Sequence, residues 1–209
     1  MDNVEKAVSE LKKGKMILIY DGDGREGEAD LVFGAEFAKP EYVEILRKDA
    51  GGLICLAVAK ERAGRLGLEF YADILESSNS KLKGMKCNRT AYGDKPSFSI
   101  SVNHKRVYTG IPDNDRALTI KEISKTKTKD ELVANFYTPG HVFLLIGRGI
   151  ENRKGHTELS LELGKRAGIE MMVLCEMLGK GNALPKKEIK EYAEKNKLVL
   201  IEGKEIIEG

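Results

Sequence analysis

A chain of 209 residues with 41% hydrophobic content holds enough apolar material for one filled core, and at roughly 150 residues per domain it reads as a single domain over 1–209. Lys+Arg 35 against Asp+Glu 33 leaves a net charge of +2 with the signs interleaved, which argues against the basic stripe of a nucleic-acid binder. Three cysteines without a CxxC pair exclude a disulfide framework and a zinc ribbon and fit a reducing cytoplasm, and no run approaches the ~18 apolar residues of a membrane span.

Val4, Ala7, Val8 and Leu11 form a helical stripe that stops at Gly14. Met16 to Tyr20 reads as a buried strand and Leu31 to Phe33 as a second, so the acidic run between them sits on a strand-to-strand connection. Pro40 opens a helix closed by Gly51-Gly52, and a strand over Leu53 to Ala59 carries Cys55. Residues Ser77 to Ser97 show neither period and read as a long loop, the length class that often forms lids or binding segments. Phe98, Ile100 and Val102 alternate with polar residues as a half-buried strand. Turn chemistry covers Thr109 to Asp115, and Thr119 with Glu122 has the capping-box pattern of a short helix start.

Val142 to Ile146 is the next strand, followed by a helix whose stripe is Leu159, Leu163 and Ala167, ending at Gly168. Met171 to Met177 is a strand interrupted by Glu176; Pro185 opens a helix to about Asn196, and Leu198 to Ile201 is a last strand. Helices and strands alternate, but several strands are joined by loops, so a layered α/β domain with a mixed sheet is expected.

Three segments carry chemistry. DGDGREGEAD, Asp21 to Asp30, crowds Asp21, Asp23, Glu26, Glu28 and Asp30 around one Arg25. Such a cluster is either a solvated acidic turn or a seat for a divalent cation, because like charges a few ångströms apart cannot all stay ionised cheaply. NRKGHTE, Asn152 to Glu158, is either a capped helix with a surface histidine or an anion site: Gly155 allows close approach, Thr157 suits an N-cap, and free helix N–H groups attract phosphate. A Glu26 and a His156 drawn from such distant segments would make a sparse, open metal site. Glu176 in VLCEM is either a solvent-pointing strand end or an acid whose desolvation raises its pKa toward proton transfer. Cys55 and Cys175 lack the basic or helix-start context of a thiolate and read as small core residues.

The segments REGEAD (Arg25 to Asp30), DAGGLIC (Asp49 to Cys55), SFSISVNH (Ser97 to His104), TGIPDNDRALTI (Thr109 to Ile120), TPGHVFLL (Thr138 to Leu145), NRKGHTE and LCEM (Leu174 to Met177), in this order and spacing, resemble the 3,4-dihydroxy-2-butanone 4-phosphate synthase family in its single-domain, archaeal-like form. The resemblance runs over nearly the full length. It implies a three-layer α/β (α+β) domain with a twisted mixed sheet flanked by helices. The implied activity is the magnesium-dependent conversion of ribulose 5-phosphate to formate and 3,4-dihydroxy-2-butanone 4-phosphate in riboflavin biosynthesis. Its course is enolisation, dehydration, skeletal rearrangement and one-carbon loss, with manganese able to replace magnesium.

Carried onto matching positions, the resemblance makes Glu26 and His156 metal ligands and sets Arg25, Glu26 and Asp30 against the sugar. Arg153, Lys154, Gly155, His156 and Thr157 would hold the phosphate, and Glu28 and Glu176, the latter also touching substrate, would move protons. Asp21, Cys55, Thr109 and His141 occupy positions that the family places in or beside the site, and the family's homodimer builds each site from both subunits. The chain departs from the family at Gly24, where an acid is usual, at the segment IGRGIE with its Arg148, and in the loop around Ser80 to Lys95, the expected lid. Two other readings compete: a sugar-phosphate isomerase or aldolase, which would release no one-carbon fragment, and an RNA- or nucleotide-binding α/β protein, which would need a basic surface and a steep salt dependence.

Overall fold

The first helix of the computed structural model, which describes residues 2–86, 90 and 93–209, is α1 (Asn3–Lys12). Asp2 accepts from the Glu5 N–H while the Glu5 carboxylate accepts from the Asp2 N–H, a reciprocal cap that satisfies two otherwise orphaned donors. The remaining helices are α2 (Pro40–Ile45), α3 (Lys60–Leu66), α4 (Tyr71–Ser77), α5 (Asp113–Lys125), α6 (Lys129–Asn135), α7 (His156–Ala167), α8 (Lys186–Asn196) and α9 (Gly203–Glu208). The strands are β1 (Ile17–Tyr20), β2 (Ala29–Gly34), β3 (Cys55–Val58), β4 (Phe98–His104), β5 (Phe136–Ile146), β6 (Met171–Glu176) and β7 (Leu200–Glu202).

These strands make one seven-stranded sheet in the order β4-β5-β3-β6-β2-β1-β7. The β3/β5 and β1/β7 pairs are parallel and the rest antiparallel, so the sheet is mixed, as the loop-joined strands predict. Side chains alternate across it. Ile17, Ile19, Val32, Cys55 and Leu174 pack with residues of α1, α7 and α9 on one face. Leu18, Leu31, Phe33, Val173 and Cys175 pack with residues of α2, α5 and α8 on the other. The result is helices, sheet, helices, three layers with two apolar seams.

This alternation places the chemistry. On β2, Asp30 shares the α7 face with Val32; on β6, Glu176 shares it with Leu174; and the register sets Asp30 directly opposite Glu176. Cys55 lies opposite Leu174 on the same face. Cys175 points to the opposite face, its Sγ 3.7 Å from the Leu46 carbonyl oxygen.

Several boundaries differ from the sequence expectation. The strand expected over Leu31 to Phe33 extends to Ala29–Gly34, and that expected over Val142 to Ile146 begins at Phe136. The helix expected to start at Thr119 starts at Asp113; Thr119 is buried in mid-helix, and its hydroxyl accepts from the His104 N–H at 3.1 Å. Its polar atom was claimed by the adjoining strand and was not free to cap. Helices α3, α4, α6 and α9 have no counterpart in the sequence reading. Each spans only six or seven residues, too short to show a full period and held by what it packs against. Of the loop expected over Ser77 to Ser97, residues 87–89 and 91–92 lie outside the described residues.

Candidate active site

The acidic segment does not fold as one undivided cluster. Tyr20 OH donates to Asp23, and Lys186 approaches the same carboxylate at 3.6 Å, so Asp23 is drawn outward, away from the other acids. Asp21 turns inward and organises the loop: Oδ2 accepts from the Glu26 N–H at 3.0 Å and Oδ1 from the Glu28 N–H at 3.1 Å. Arg25 donates to Asp21 at 3.2 Å and to Glu26 at 2.8 Å, and it reaches Asp94 at 2.5 Å. Asp21 thus does for this loop what an Asx side chain does in a turn, satisfying backbone donors that have no strand partner. Next to Gly24 there is open space.

The anion-site segment differs in its cap. Gly155, not Thr157, is the N-cap of α7, and it makes no side-chain cap bond; Thr157 lies buried in the first turn. His156 is buried, not a surface residue, and its Nε2 lies 3.2 Å from the Glu28 carbonyl oxygen. A carbonyl can only accept, so Nε2 carries a proton and the ring presents Nδ1 to the acids. Nδ1 is 3.8 Å from Glu26 Oε2 and 3.7 Å from Asp30 Oδ1. Asp21, Glu26 and His156 each offer a ligand atom within 4.8 Å of one another.

Burial disfavours a charge on His156, but Asp30, Glu26 and Asp21 outweigh it and push its pKa up to about 9. Burial raises Asp30 to about 7 against the opposing pull of His156, with Glu176, Glu26 and Glu28 adding to the rise. Glu28 is raised as well, by burial first and then by Glu26. Asp30 Oδ1 is buried without a hydrogen-bond partner. A buried, unpartnered carboxylate oxygen beside an imidazole nitrogen and two more acids is the donor chemistry that fits a hard divalent cation. Asp21 already spends both oxygens on the loop, which leaves Glu26 and His156 as the better-placed ligands.

A cavity of about 570 Å³ opens onto these groups, lined by Glu26, Asp30, Cys55, Arg153, His156, Thr157 and Glu176. Glu176 accepts from the Leu53 N–H at 2.8 Å. A Cβ on Gly52 would stand 2.5 Å from Glu176 Oε2 and 2.6 Å from its carbonyl oxygen, so only glycine lets the β3 approach pass this close. The Cys55 thiol is held protonated, its pKa raised by burial and then by Glu176 and Asp30, so it forms wall and not nucleophile. Lys154 is exposed and borders an outer groove with Arg25 and Asn152. Thr109 and His141 are exposed and do not line the cavity; both bond Asn103 of β4.

The lid expected around Ser80 to Lys95 contributes Leu82 and Met85 to the roof of this cavity, residues the sequence reading did not single out, and that reading left Tyr71, Leu75 and Phe98 of the roof unmarked as cavity residues. Sequence reasoning also missed Asp94 and Glu158, both tied to Arg153. Arg148, which the sequence left without a role, packs its guanidinium 3.7 Å from the Phe70 ring centroid and donates to the Pro96 carbonyl. Asp30, named from the sequence as a sugar contact, stands at the head of a buried strand between Ala29 and Leu31.

Residues 5–209 match the family model described as 3,4-dihydroxy-2-butanone 4-phosphate synthase. The 3,4-dihydroxy-2-butanone 4-phosphate synthase of Methanosarcina mazei is 43% identical, the alignment covering 100% of this chain and 91% of that one. The crystal structure of a two-domain 3,4-dihydroxy-2-butanone 4-phosphate synthase from A. baumannii is similar with a TM-score of 0.81 and 28% identity; it is matched over 97% of this chain, which spans 56% of that longer one. A further structure of such a synthase, in complex with two magnesium ions, is similar with a TM-score of 0.79 and 25% identity over 99% of this chain and 95% of that one.

Proposed function

This chain belongs to the 3,4-dihydroxy-2-butanone 4-phosphate synthase family, and we propose that it performs the family's reaction in one catalytic domain over 1–209, with Glu26 and His156 as ligands of a magnesium ion that manganese can replace. The family converts ribulose 5-phosphate to 3,4-dihydroxy-2-butanone 4-phosphate in riboflavin biosynthesis, as a lyase releasing formate. The observation that carries the assignment is the meeting of distant segments. His156 Nε2 reaches the backbone of Glu28, 128 residues away, while Nδ1 faces Glu26 and Asp30 in the same cavity.

The chain's own residues divide the labour. A bound divalent cation supplies Lewis acidity, polarising the sugar's carbonyl and hydroxyl oxygens. Arg25 and Asp30 orient the sugar, and Arg153 with the start of α7 holds the phosphate, where guanidinium charge and free backbone N–H groups act together. Glu28 and Glu176 carry protons between sugar positions; the pKa of Glu28 is raised, by burial first and then by Glu26, so its carboxyl holds a proton more readily than a free one. Asp30 is raised to about 7. Cys55 and the roof residues keep the cavity dry.

A homodimer completes the site in this reading. Thr109 and His141 sit together on a surface where Tyr108 is 98% exposed and Ile111, Val133 and Tyr137 are also open to solvent, an apolar patch suited to a second copy of the chain that would insert both residues into its neighbour's cavity. No helix among the described residues is long and apolar enough to cross a membrane, in keeping with a cytoplasmic enzyme acting on a small sugar phosphate. The test is to supply ribulose 5-phosphate and magnesium and measure formate. Stoichiometric formate supports the assignment, and conversion of the sugar without formate overturns it in favour of an isomerase or aldolase.

A further inference from the structure

The phosphate-gripping corner contains a carboxylate with no place in the reaction. Glu158 is in the first turn of α7, its side chain 0% exposed, and it accepts from the Arg153 Nη1–H at 2.6 Å and from the Arg148 backbone N–H at 3.0 Å. An acid buried this deeply is retained where both oxygens are satisfied, and here one of them is satisfied by the arginine on the cavity wall. The second tie on Arg153 comes from Asp94, 3.4 Å from Nε. The guanidinium is thereby folded over Gly155, where a Cβ would collide with it. A long, flexible arginine is held against the N-terminus of α7 before any anion arrives.

We propose that Glu158 is a positioning residue for phosphate recognition: it acts through Arg153, fixing the guanidinium over the start of α7 so that arginine and helix N–H groups face one anion together. The inference rests on the assignment of the phosphate to this corner. Its physical basis is the ordering cost of an arginine side chain, which a preformed charge-assisted bond removes from the binding step. The Arg148 bond anchors Glu158 itself to the chain leaving β5, so the carboxylate cannot follow Arg153 outward.

Glu158→Gln separates the two bonds. The amide oxygen can still accept from the Arg148 N–H, but the amide NH₂ is a donor and cannot accept from Arg153. KM for ribulose 5-phosphate and the dissociation constant of inorganic phosphate are each expected to rise about tenfold, while kcat stays within about threefold. In an Arg153→Ala background, Glu158→Gln is expected to change neither constant further, because its partner is gone. Should the Gln variant not fold, Glu158→Asp, which keeps the charge and withdraws it by one methylene, serves the same cycle. A purely structural acid would lower thermal stability and reduce kcat with no coupling to Arg153. Additive effects in the double variant, or unchanged phosphate binding in Glu158→Gln, overturn the proposal while leaving the phosphate site standing. If Arg153→Ala itself leaves KM and phosphate binding unchanged, the location of the phosphate is wrong and the proposal falls with it.

Discussion

The floor and the roof of the cavity are built on opposite principles. On the floor several polar groups are tied across long stretches of chain, His156 to Glu28, Glu176 to the backbone of Leu53 and Arg25 to Asp94, and others are tied locally, Arg153 to Glu158 and Asp21 to the N–H groups of Glu26 and Glu28. On the roof, the hydrogen bonds and ion pair of the described residues 78–86 run only among themselves or back to α4. The roof's large apolar side chains stand open, Leu82 at 59% and Met85 at 73% exposure. The floor is pre-organised, as electrostatic catalysis requires. The roof has apolar surface to bury and little holding it in one place, which suits a segment that gains its contacts when substrate is present.

The sharpest way to break this contrast is at the floor. Glu26→Gln removes a ligand charge at nearly constant shape, so kcat for formate release is expected to fall about a thousandfold while the thermal midpoint moves by no more than about 2 °C; activity within tenfold of wild type would show that Glu26 is not a ligand. His156→Ala is expected to weaken magnesium binding about a hundredfold, measured by calorimetry, and an unchanged titration would remove the imidazole from the metal site.

The next effect is a pH dependence. In chelator-treated protein His156 has its pKa raised to about 9, above the unfolded value. Its imidazolium therefore stabilises the fold fully below about pH 6.5 and loses that contribution as pH rises through 9. Magnesium takes the place of the Nδ1 proton, so its apparent affinity is expected to rise with pH by up to about tenfold per unit between 7 and 9. A magnesium-induced rise in thermal midpoint that is larger at pH 6.5 than at pH 8.5 would contradict this sign.

The roof should respond least. Met85→Ala is expected to change stability by less than about 0.5 kcal/mol, because the side chain is mostly exposed, yet to raise KM about two- to fivefold if it covers bound substrate. A stability loss above about 2 kcal/mol with unchanged KM would make the roof part of the static core, erasing the distinction from the floor.

The helices and strands with full periods were legible from residues alone: α1 from its stripe, β1 and β6 from their apolar runs, α7 from Leu159, Leu163 and Gly168. So was the presence of chemistry, because five acids in DGDGREGEAD and a glycine-histidine pair at a helix start are costly unless something uses them. The division of that acidic run was not legible. Whether Asp23 turns out to Lys186 and Asp21 in to the loop N–H groups depends on where Tyr20 and α8 lie, and α8 is far away in the chain. The cap of α7 was misread for the same reason: Thr157 has the right hydroxyl, but the surrounding layers bury it.

Local sequence determined the longer helices and strands and which residues can ionise, because propensity, periodicity and side-chain type are short-range properties. Tertiary structure alone decided that Asp30 and Glu176 would stand opposite each other on one face, that His156 would approach Asp30 from α7, and that the protonation of Asp30 and His156 would be set jointly. Register between strands and the dielectric around a buried charge are properties of the assembled sheet and its covering helices, and no window of neighbouring residues contains them.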